Sequence, residues 1–444
     1  MLHLFHLEYI LGKLMNAAPD VSDINMTVGH PIQVESGGQL MPVYFQPEIR
    51  ALTPYQTEAL ALSLLRGDKH LITTLLDHGS CDLSFNLENK ARFRVNIFSQ
   101  QGRYSIVMRK LDNYIRSIED LELPPIFYNM AKEKNGIILV TGATGTGKTT
   151  SLAAILDEIN RTQAVHVVTL EDPVEFIHLP KMSTFNQREL GTDFRSFSEG
   201  LRSALRQAPK VILVGEMRDR ETVEMALSAA ETGHLVYSTL HTVDTGTTVN
   251  RIVGLFDHDE EKLIRVRLAD SLRWVVSQRL LPKIGGGRVA ALEVMGTSLT
   301  IKDIITNGEA PDKTFYGAVE SMRPLGFQTF DQHILDLFRD KIISEEAART
   351  FSSRKNIMSR GIDTLKAEAG EYIYDINDLA LETDEETEER EEERLHQEAL
   401  DSHAPPAPPP PPPPPPRADA RIRSGGPPQP PGVENHVARR PLGE

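Results

Sequence analysis

Cysteine and tryptophan are nearly absent from this chain of 444 residues, which contains one of each, and aromatic residues make up only 6%. A single cysteine, Cys81, excludes an intramolecular disulfide and any zinc module with four cysteine ligands. It is also typical of a protein in a reducing compartment. No run of about 18 apolar residues is present, so no membrane-spanning helix is predicted. We therefore expect a cytoplasmic protein.

The net charge of −15 is unevenly distributed along the chain. Residues 371–403 contain 14 acidic and 2 basic residues, so this segment carries most of the excess. The remaining chain is only mildly acidic, which predicts no binding of nucleic acid over a broad surface. Nine consecutive prolines at 408–416 favour a polyproline II rod. We expect residues 371–444 to form a disordered acidic and proline-rich tail whose partner is unknown.

Three patterns divide the rest of the chain. Residues 1–110 predict a small α+β domain, and residues 111–135 predict a linker. In residues 136–370, short apolar runs alternate with amphipathic helices, which is typical of an α/β domain whose largely parallel sheet is buried on both faces. Within this domain, residues 260–281 are expected to be helical.

The strongest motif is a glycine-rich P-loop between an apolar strand at 137–141 and a predicted helix at 150–160. Its nine candidate nucleotide-binding residues are Gly142, Ala143, Thr144, Gly145, Thr146, Gly147, Lys148, Thr149 and Thr150. The glycines let backbone N–H groups converge on phosphate oxygens at a helix N-terminus. Lys148 is expected to neutralise the β- and γ-phosphates of ATP, and Thr149 to offer its hydroxyl to Mg²⁺.

A first acidic strand end follows the apolar run at 166–170. It carries Glu171, Asp172 and Glu175, three carboxylates that repel one another unless a cation compensates their charge. In our hypothesis Mg²⁺ is that cation, with Thr149, Glu171 and Asp172 as candidate metal ligands. Solvated acids in a capped turn are the alternative.

A second acidic strand end follows the apolar run at 211–214 and resembles a Walker B strand. Gly215 occupies the usual aspartate position, and Glu216 comes next. Glu216 is therefore the candidate that activates water for ATP hydrolysis, and Mg²⁺ must rely on the other acidic turn.

Four segments occur in a characteristic order: GATGTGKTT, TLEDPVEF, VILVGEMRD and AAETGHLVYSTLHT. They resemble the Walker A, Asp box, Walker B and His box of the secretion ATPases, and most closely those of the PilT-like retraction ATPases of type IV pili. The resemblance implies a RecA-like P-loop ATPase core with an α/β fold, an N-terminal PAS-like α+β domain and a homo-hexameric ring.

The same resemblance implies a function. ATP hydrolysis would drive domain rotations that power pilus retraction and twitching motility. An inner-membrane pilus platform protein would be the partner, and a second retraction ATPase is a further candidate partner. The ring would lie peripherally at the inner membrane.

The resemblance also suggests roles for single residues. Glu216 matches the catalytic glutamate of the family, and Glu171 and Glu175 match the Asp-box acids near metal and water. His234 and His241 match the His-box pair that senses the γ-phosphate or couples it to movement. Without the family, ordinary core or cap contacts are the alternative for both histidines.

Two arginines of the N-terminal domain resemble family residues that reach the nucleotide. Arg94 and Arg109 match arginines that act at a subunit boundary, where such a residue raises the hydrolysis rate by about 10³–10⁵-fold. Salt bridges on a sheet face are the alternative. The comparison leaves open whether these two act on a neighbouring subunit.

Two segments depart from the retraction-ATPase pattern. Residues 206–210 lack two family acids, as in accessory PilU-like relatives, and residues 300–307 keep only the apolar spacing of a family segment. These departures favour one alternative, an accessory ring subunit that binds ATP and regulates a partner motor. Two further alternatives are a pilus assembly or type II secretion ATPase and a nucleic-acid translocase. The assembly or secretion ATPase usually needs a four-cysteine zinc module, and the mildly acidic body disfavours the translocase.

Overall fold

The computed structural model describes residues 4–46, 49–87, 90–111 and 114–370. The predicted tail, residues 371–444, lies outside the described residues. Among the helices of the described residues, none has the length and apolar character needed to cross a membrane.

The first part of the chain forms a six-stranded sheet with three helices. Its elements are α1 (Leu4–Leu14), β1 (Val21–Met26), β2 (Gln33–Ser36), β3 (Gln39–Pro42), α2 (Pro54–Leu65), α3 (Lys69–His78), β4 (Ser80–Leu87), β5 (Ala91–Gln100) and β6 (Arg103–Leu111). The strands pair antiparallel in the order β3-β2-β1-β6-β5-β4. Every second residue of β5 from Ala91 to Ile97 is buried, so one sheet face packs on the core that also contains buried residues of α1 and α2.

The second part forms a seven-stranded sheet with eleven α-helices in the described residues. Its elements are α4 (Ile126–Lys132), β7 (Gly136–Thr141), α5 (Lys148–Thr162), β8 (His166–Glu171), β9 (Thr184–Glu189), α6 (Phe197–Ala204), β10 (Val211–Val214), α7 (Arg220–Glu231), β11 (Leu235–Leu240), α8 (Thr245–Val253), α9 (His258–Ser271), β12 (Leu272–Pro282), β13 (Arg288–Gly296), α10 (Leu299–Asn307), α11 (Phe315–Ser321), α12 (Phe330–Arg339), α13 (Glu345–Phe351) and α14 (Lys355–Glu368).

This second sheet has the order β13-β12-β7-β11-β10-β8-β9, and only β13 runs antiparallel to its neighbour. Alternate residues of β7 face opposite layers. Ile138 and Val140 pack with α4 and α5, whereas Ile137 and Leu139 pack with helices that include α6 to α10. The predicted α/β fold with a largely parallel, doubly covered sheet is therefore confirmed.

The helix predicted over residues 260–281 is wrong beyond Ser271. There α9 ends and Leu272–Pro282 forms β12, which pairs parallel with β7 and antiparallel with β13. Trp274 and its valine neighbours favour a strand, and pairing on both sides outweighs a weak helical pattern. As a result, β12 runs directly beside the strand that leads into the P-loop.

The segment predicted as a linker contains α4. Phe127 and Met130 on this helix are fully buried against the seven-stranded sheet. The hydroxyl of Tyr237 on β11 donates a hydrogen bond of 2.8 Å to the Met130 carbonyl. The boundaries assigned to the domains remain predictions.

Candidate nucleotide site

The candidate site lies at the carboxyl ends of four neighbouring parallel strands. β7 leads into the P-loop, β8 ends at Glu171, β10 is followed by Gly215 and Glu216, and β11 is followed by His241. Parallel strands place their carboxyl ends at one edge of the sheet, where ligands bind in open α/β folds. Residues from all four strand ends line one cavity of about 660 Å³.

The path of the P-loop requires glycine at two positions. Gly142 has a φ of +142°, and a Cβ atom there would lie 2.5 Å from the backbone oxygen of Gln278. Gly147 has a φ of +87°, and its Cβ would lie 3.0 Å from the side-chain nitrogen of the same glutamine. L side chains rarely adopt either conformation. The loop therefore comes closer to β12 than any larger residue would permit.

Lys148 is a buried cation at the start of α5. Its Nζ donates hydrogen bonds of 2.8 Å to the Gly142 carbonyl and 3.0 Å to the Ala143 carbonyl. Burial lowers the pKa of Lys148, and the charges of Glu175 and Glu216 oppose that shift. A partly desolvated ammonium is suited to neutralise phosphate because a low dielectric strengthens the attraction.

The acidic turn after β8 contains a deeply buried carboxyl group. Thr169 Oγ1 donates to Glu171 Oε1 over 2.6 Å, and Gln187 Nε2 donates to the same oxygen over 3.3 Å. Burial nevertheless raises the pKa of Glu171 to about 7. Burial also raises the pKa of Asp172, and the charge of Arg94 opposes that shift. Glu171 can thus gain or lose a proton near neutral pH, as functional carboxyl groups often do.

Magnesium fits this set of donors. Thr149, Glu171 and Asp172 all line the cavity, and their oxygens are the hard ligands that Mg²⁺ prefers. The described residues contain no group of three or more His, Cys, Asp or Glu placed to hold a metal ion by itself. A bound Mg²⁺ would therefore take further ligands from phosphate and water, which is its usual mode in sites for nucleoside triphosphates.

Glu216 has two nitrogen neighbours. Arg218 Nε lies 2.6 Å from Glu216 Oε2, and His241 Nε2 lies 3.8 Å from the same oxygen. Burial, assisted by the charge of Lys148, lowers the pKa of His241. The imidazole is therefore mainly neutral at pH 7, and it lies next to the carboxylate expected to activate water.

Close packing explains the glycine in the Walker B strand. The N–H of Gly215 donates to the Leu170 carbonyl over 2.7 Å, and a Cβ atom at this position would lie 3.1 Å from that oxygen. An aspartate at 215 would crowd the end of β8. This contact leaves Glu216 as the first acid after β10.

Most residues predicted for the site line the cavity. They are Arg94, Thr144, Gly145, Gly147, Lys148, Thr149, Thr150, Glu171, Asp172, Glu175, Glu216 and His241. The lining therefore includes an arginine from the first sheet of the same chain. The roles assigned to these residues remain predictions.

Five predicted residues are not among those that line the cavity. Gly142, Ala143 and Thr146 belong to the P-loop itself, whereas His234 and Arg109 lie elsewhere. His234 precedes β11 and is therefore about 23 Å from His241, at about 3.3 Å per strand residue. Its Nδ1 lies 3.0 Å from the Ala229 carbonyl. Arg109 is largely exposed, and its Nε donates to Asp23 over 2.8 Å. The catalytic roles assigned to His234 and Arg109 also remain predictions.

Two residues in contact with the site were missed from the sequence. Gln278 Nε2 donates to the Thr146 carbonyl over 2.7 Å. Glu189 Oε2 accepts from Ser84 Oγ over 2.7 Å and from the Val174 N–H over 3.2 Å. Gln278 and Thr146 are 132 positions apart and Glu189 and Ser84 are 105 apart, so no local motif signals either pairing.

Comparisons with known proteins agree with this geometry. A family model described as type II/IV secretion system protein matches residues 73–310. The type IV pilus retraction ATPase PilT of Pseudomonas aeruginosa is 39% identical over 334 residues, which cover 75% of this chain and 95% of that protein. The type IV pilus ATPase PilU of the same organism is 34% identical over 343 residues, which cover 76% of this chain and 86% of that protein.

A solved structure is also similar. It is a crystal structure of the pilus retraction motor PilT with bound ADP, which has 38% sequence identity and a TM-score of 0.71, and the match covers 80% of this chain and 98% of that one. The chain therefore belongs to the type II/IV secretion system protein family and, within it, to the PilT-like nucleotide-binding P-loop ATPases.

Proposed function

We propose that this ATPase is the motor of type IV pilus retraction and thereby powers twitching motility. One observation carries the proposal: the P-loop, the acidic turn, Glu216 and His241 line a single cavity. The relatives described as retraction ATPase and retraction motor support the extension from ATP hydrolysis to retraction.

Each group in the cavity has a proposed part in hydrolysis. The P-loop and Lys148 bind the phosphates, and Glu216 orients a water molecule and accepts its proton. A bound Mg²⁺ would offset the negative charge that develops on the phosphates. Thr149, Glu171 and Asp172 are the proposed ligands of this ion, and Glu175 lies beside them. His241 contacts Glu216 and is placed to respond when the γ-phosphate is lost.

The proposal includes an assembly and a location. Six copies form a ring at the cytoplasmic side of the inner membrane, where they act on a pilus platform protein. Arg94, and Arg109 if it serves a neighbouring subunit, supply positive charge to the nucleotide. The similarity to both PilT and PilU supports an oligomeric ATPase that works with the pilus machinery.

An accessory role beside a partner motor is the second candidate. Residues 206–210 lack the acids of retraction motors, and the chain is 34% identical to PilU over 76% of its length. On α10, Ile301, Ile304 and Ile305 are buried, so the family's apolar spacing serves packing there. An assembly ATPase is disfavoured because Cys81 alone cannot build the zinc module usual in that class.

Steady-state ATPase assays test the enzymatic part. We expect wild type to hydrolyse ATP and Glu216→Gln to bind it but turn over at least about 100-fold more slowly, because an amide cannot accept the proton of water. Glu346→Gln, an exposed matched change on α13, should behave like wild type. Equal turnover in wild type and Glu216→Gln would exclude Glu216 as the base.

Gene deletion in the native host tests the direction of force. A retraction motor predicts abundant surface pili without twitching, because pili assemble but do not withdraw. An accessory subunit predicts twitching that is reduced but can be restored by more of the partner motor. Loss of surface pili would contradict both and indicate an assembly ATPase.

A further inference from the structure

Gln278 is a buried amide directly beneath the P-loop. It lies on β12, one residue after Ser277, which is paired with Thr141 at the end of β7. Its relative exposure is only 3%. It does not line the nucleotide cavity in the described residues, so it is not placed to touch ATP.

The side chain of Gln278 connects the P-loop to the helix that follows it. Nε2 donates to the Thr146 carbonyl over 2.7 Å, and Oε1 accepts from Ser151 Oγ over 2.9 Å. Ser151 is buried and Thr146 is half-buried, and a buried polar group that loses its partner is costly. One amide therefore fixes the end of the loop relative to the first turn of α5.

The hydrogen bond to Thr146 sets the direction of a phosphate-binding N–H group. The peptide between Thr146 and Gly147 is trans, and the N–H and C=O of a trans peptide point to opposite sides. Because the Thr146 carbonyl faces Gln278, the Gly147 N–H faces away from it. Gly147 and Lys148 line the cavity, so this N–H is available to a phosphate oxygen.

We propose that Gln278 is a positioning residue that holds the P-loop in its phosphate-binding conformation before nucleotide arrives. The inference rests on the proposed ATPase function. It adds to the site a residue that lies outside the P-loop motif. Preorganised donors bind more tightly because no ordering is needed when the ligand arrives. Without the amide, the Thr146–Gly147 peptide is free to rotate, and binding must restore its direction.

Two substitutions distinguish the hydrogen bond made by Nε2 of Gln278 from the one made by Oε1. Gln278→Met retains the side-chain length and removes both hydrogen bonds. Gln278→Glu, assayed at pH 9 so that the buried carboxyl is ionised, retains an oxygen for Ser151 but presents no donor to Thr146. We expect both to raise the Kd for ADP by about 10- to 100-fold, which corresponds to the loss of one or two buried hydrogen bonds. The KM for ATP should rise similarly, while kcat falls less than about threefold because Glu216 is unaffected.

Isothermal titration with ADP, together with thermal unfolding of the nucleotide-free full chain, measures these effects. Gln163→Met is the matched control, since its Nε2 donates to the Ala131 carbonyl over 2.6 Å at the far end of α5. It should lower Tm, although less than Gln278→Met does because Gln163 is half-buried and its side chain makes one hydrogen bond, and it should leave the Kd for ADP within twofold. Should Gln278→Met fail to fold, Ser151→Ala, which frees only Oε1, is expected to raise the Kd by about two- to fivefold.

Amide hydrogen exchange provides a readout that general destabilisation would not move. Peptides covering residues 142–149 should exchange faster in Gln278→Met than in wild type, whereas peptides from α7 should not. An ADP affinity within twofold of wild type in Gln278→Met, or an equal loss of affinity in Gln163→Met, would overturn the proposal. Failure of wild type to bind ADP would instead contradict the proposed ATPase function itself.

Discussion

At the scale of single residues, the raised pKa of Glu171 predicts how the stability of the folded chain depends on pH. Burial raises its pKa from an ordinary value of 4.5 to about 7, so the folded chain binds this proton more tightly than the unfolded chain. The contribution of this proton to the free energy of unfolding is therefore complete below about pH 4.5, and it is lost as the pH rises to about 7. Its size is about 3 kcal/mol for a shift of this extent.

We therefore expect Glu171→Gln to remove this pH dependence. Between pH 5 and pH 8, the free energy of unfolding of wild type should fall relative to that of the variant, by up to about 3 kcal/mol. Urea unfolding of the nucleotide-free chain at several pH values measures the difference. Glu346→Gln, at an exposed position, should parallel wild type throughout. Identical pH slopes for wild type and Glu171→Gln would show that Glu171 is ionised throughout.

Residues inside a short motif could be predicted, whereas their distant partners could not. Lys148 and Glu216 were found because a P-loop and an acid after an apolar strand each occupy a few consecutive positions. Whether both predicted histidines can lie in the site depends on the strand between them. His234 and His241 stand at opposite ends of β11, and only the assignment of that strand separates them.

At the scale of elements, the conformation of the P-loop predicts that alanine is tolerated differently at two of its glycines. Gly142 and Gly145 both have positive φ, but a Cβ at 142 would lie 2.5 Å from the Gln278 carbonyl, whereas a Cβ at 145 would have nothing within 4 Å. Gly145→Ala should therefore cost only left-handed strain of about 1–2 kcal/mol. Gly142→Ala must also move the loop away from β12.

Titration with ADP distinguishes the two changes. We expect Gly142→Ala to weaken ADP binding at least about 100-fold and Gly145→Ala about tenfold, in line with the strain estimated for the latter. Thermal unfolding should confirm that both variants remain folded. Equal losses of affinity would mean that φ alone, and not contact with β12, determines the path of the loop.

In the second sheet, strand prediction succeeded where apolar runs are short and continuous, and it failed where they are interrupted. β7, β10 and β11 are buried at every position, so their sequences are recognisable. β9 at the sheet edge contains Asn186, Gln187 and Arg188 and is only partly buried, so it gave no such signal. β12 follows a helix without a break and contains arginines at 273 and 279, which concealed its start.

At the scale of the whole chain, the first sheet contacts the acidic turn of the second. Ser84 on β4 donates to Glu189 on β9, and the same carboxylate oxygen accepts from the N–H of Val174 in the turn after β8. Arg94 on β5 lines the nucleotide cavity, and its charge acts on Asp172. The family resemblance predicts that Arg94 reaches a nucleotide, whereas no motif predicts the contact of Ser84 with Glu189, because it depends on how the two sheets meet.

The contact predicts that Glu189 affects turnover more than binding. Glu189→Ala removes the acceptor that holds Val174, so the acidic turn loses its fixed position while the P-loop is untouched. We expect kcat for ATP hydrolysis to fall about tenfold or more, since small displacements of catalytic groups are costly, and the Kd for ADP to change less than twofold. Glu189→Gln keeps an acceptor oxygen and should retain most activity, and Glu199→Ala, an exposed change on α6, should match wild type. If Glu189→Gln were as slow as Glu189→Ala, the charge of Glu189 and not its hydrogen bonds would be responsible.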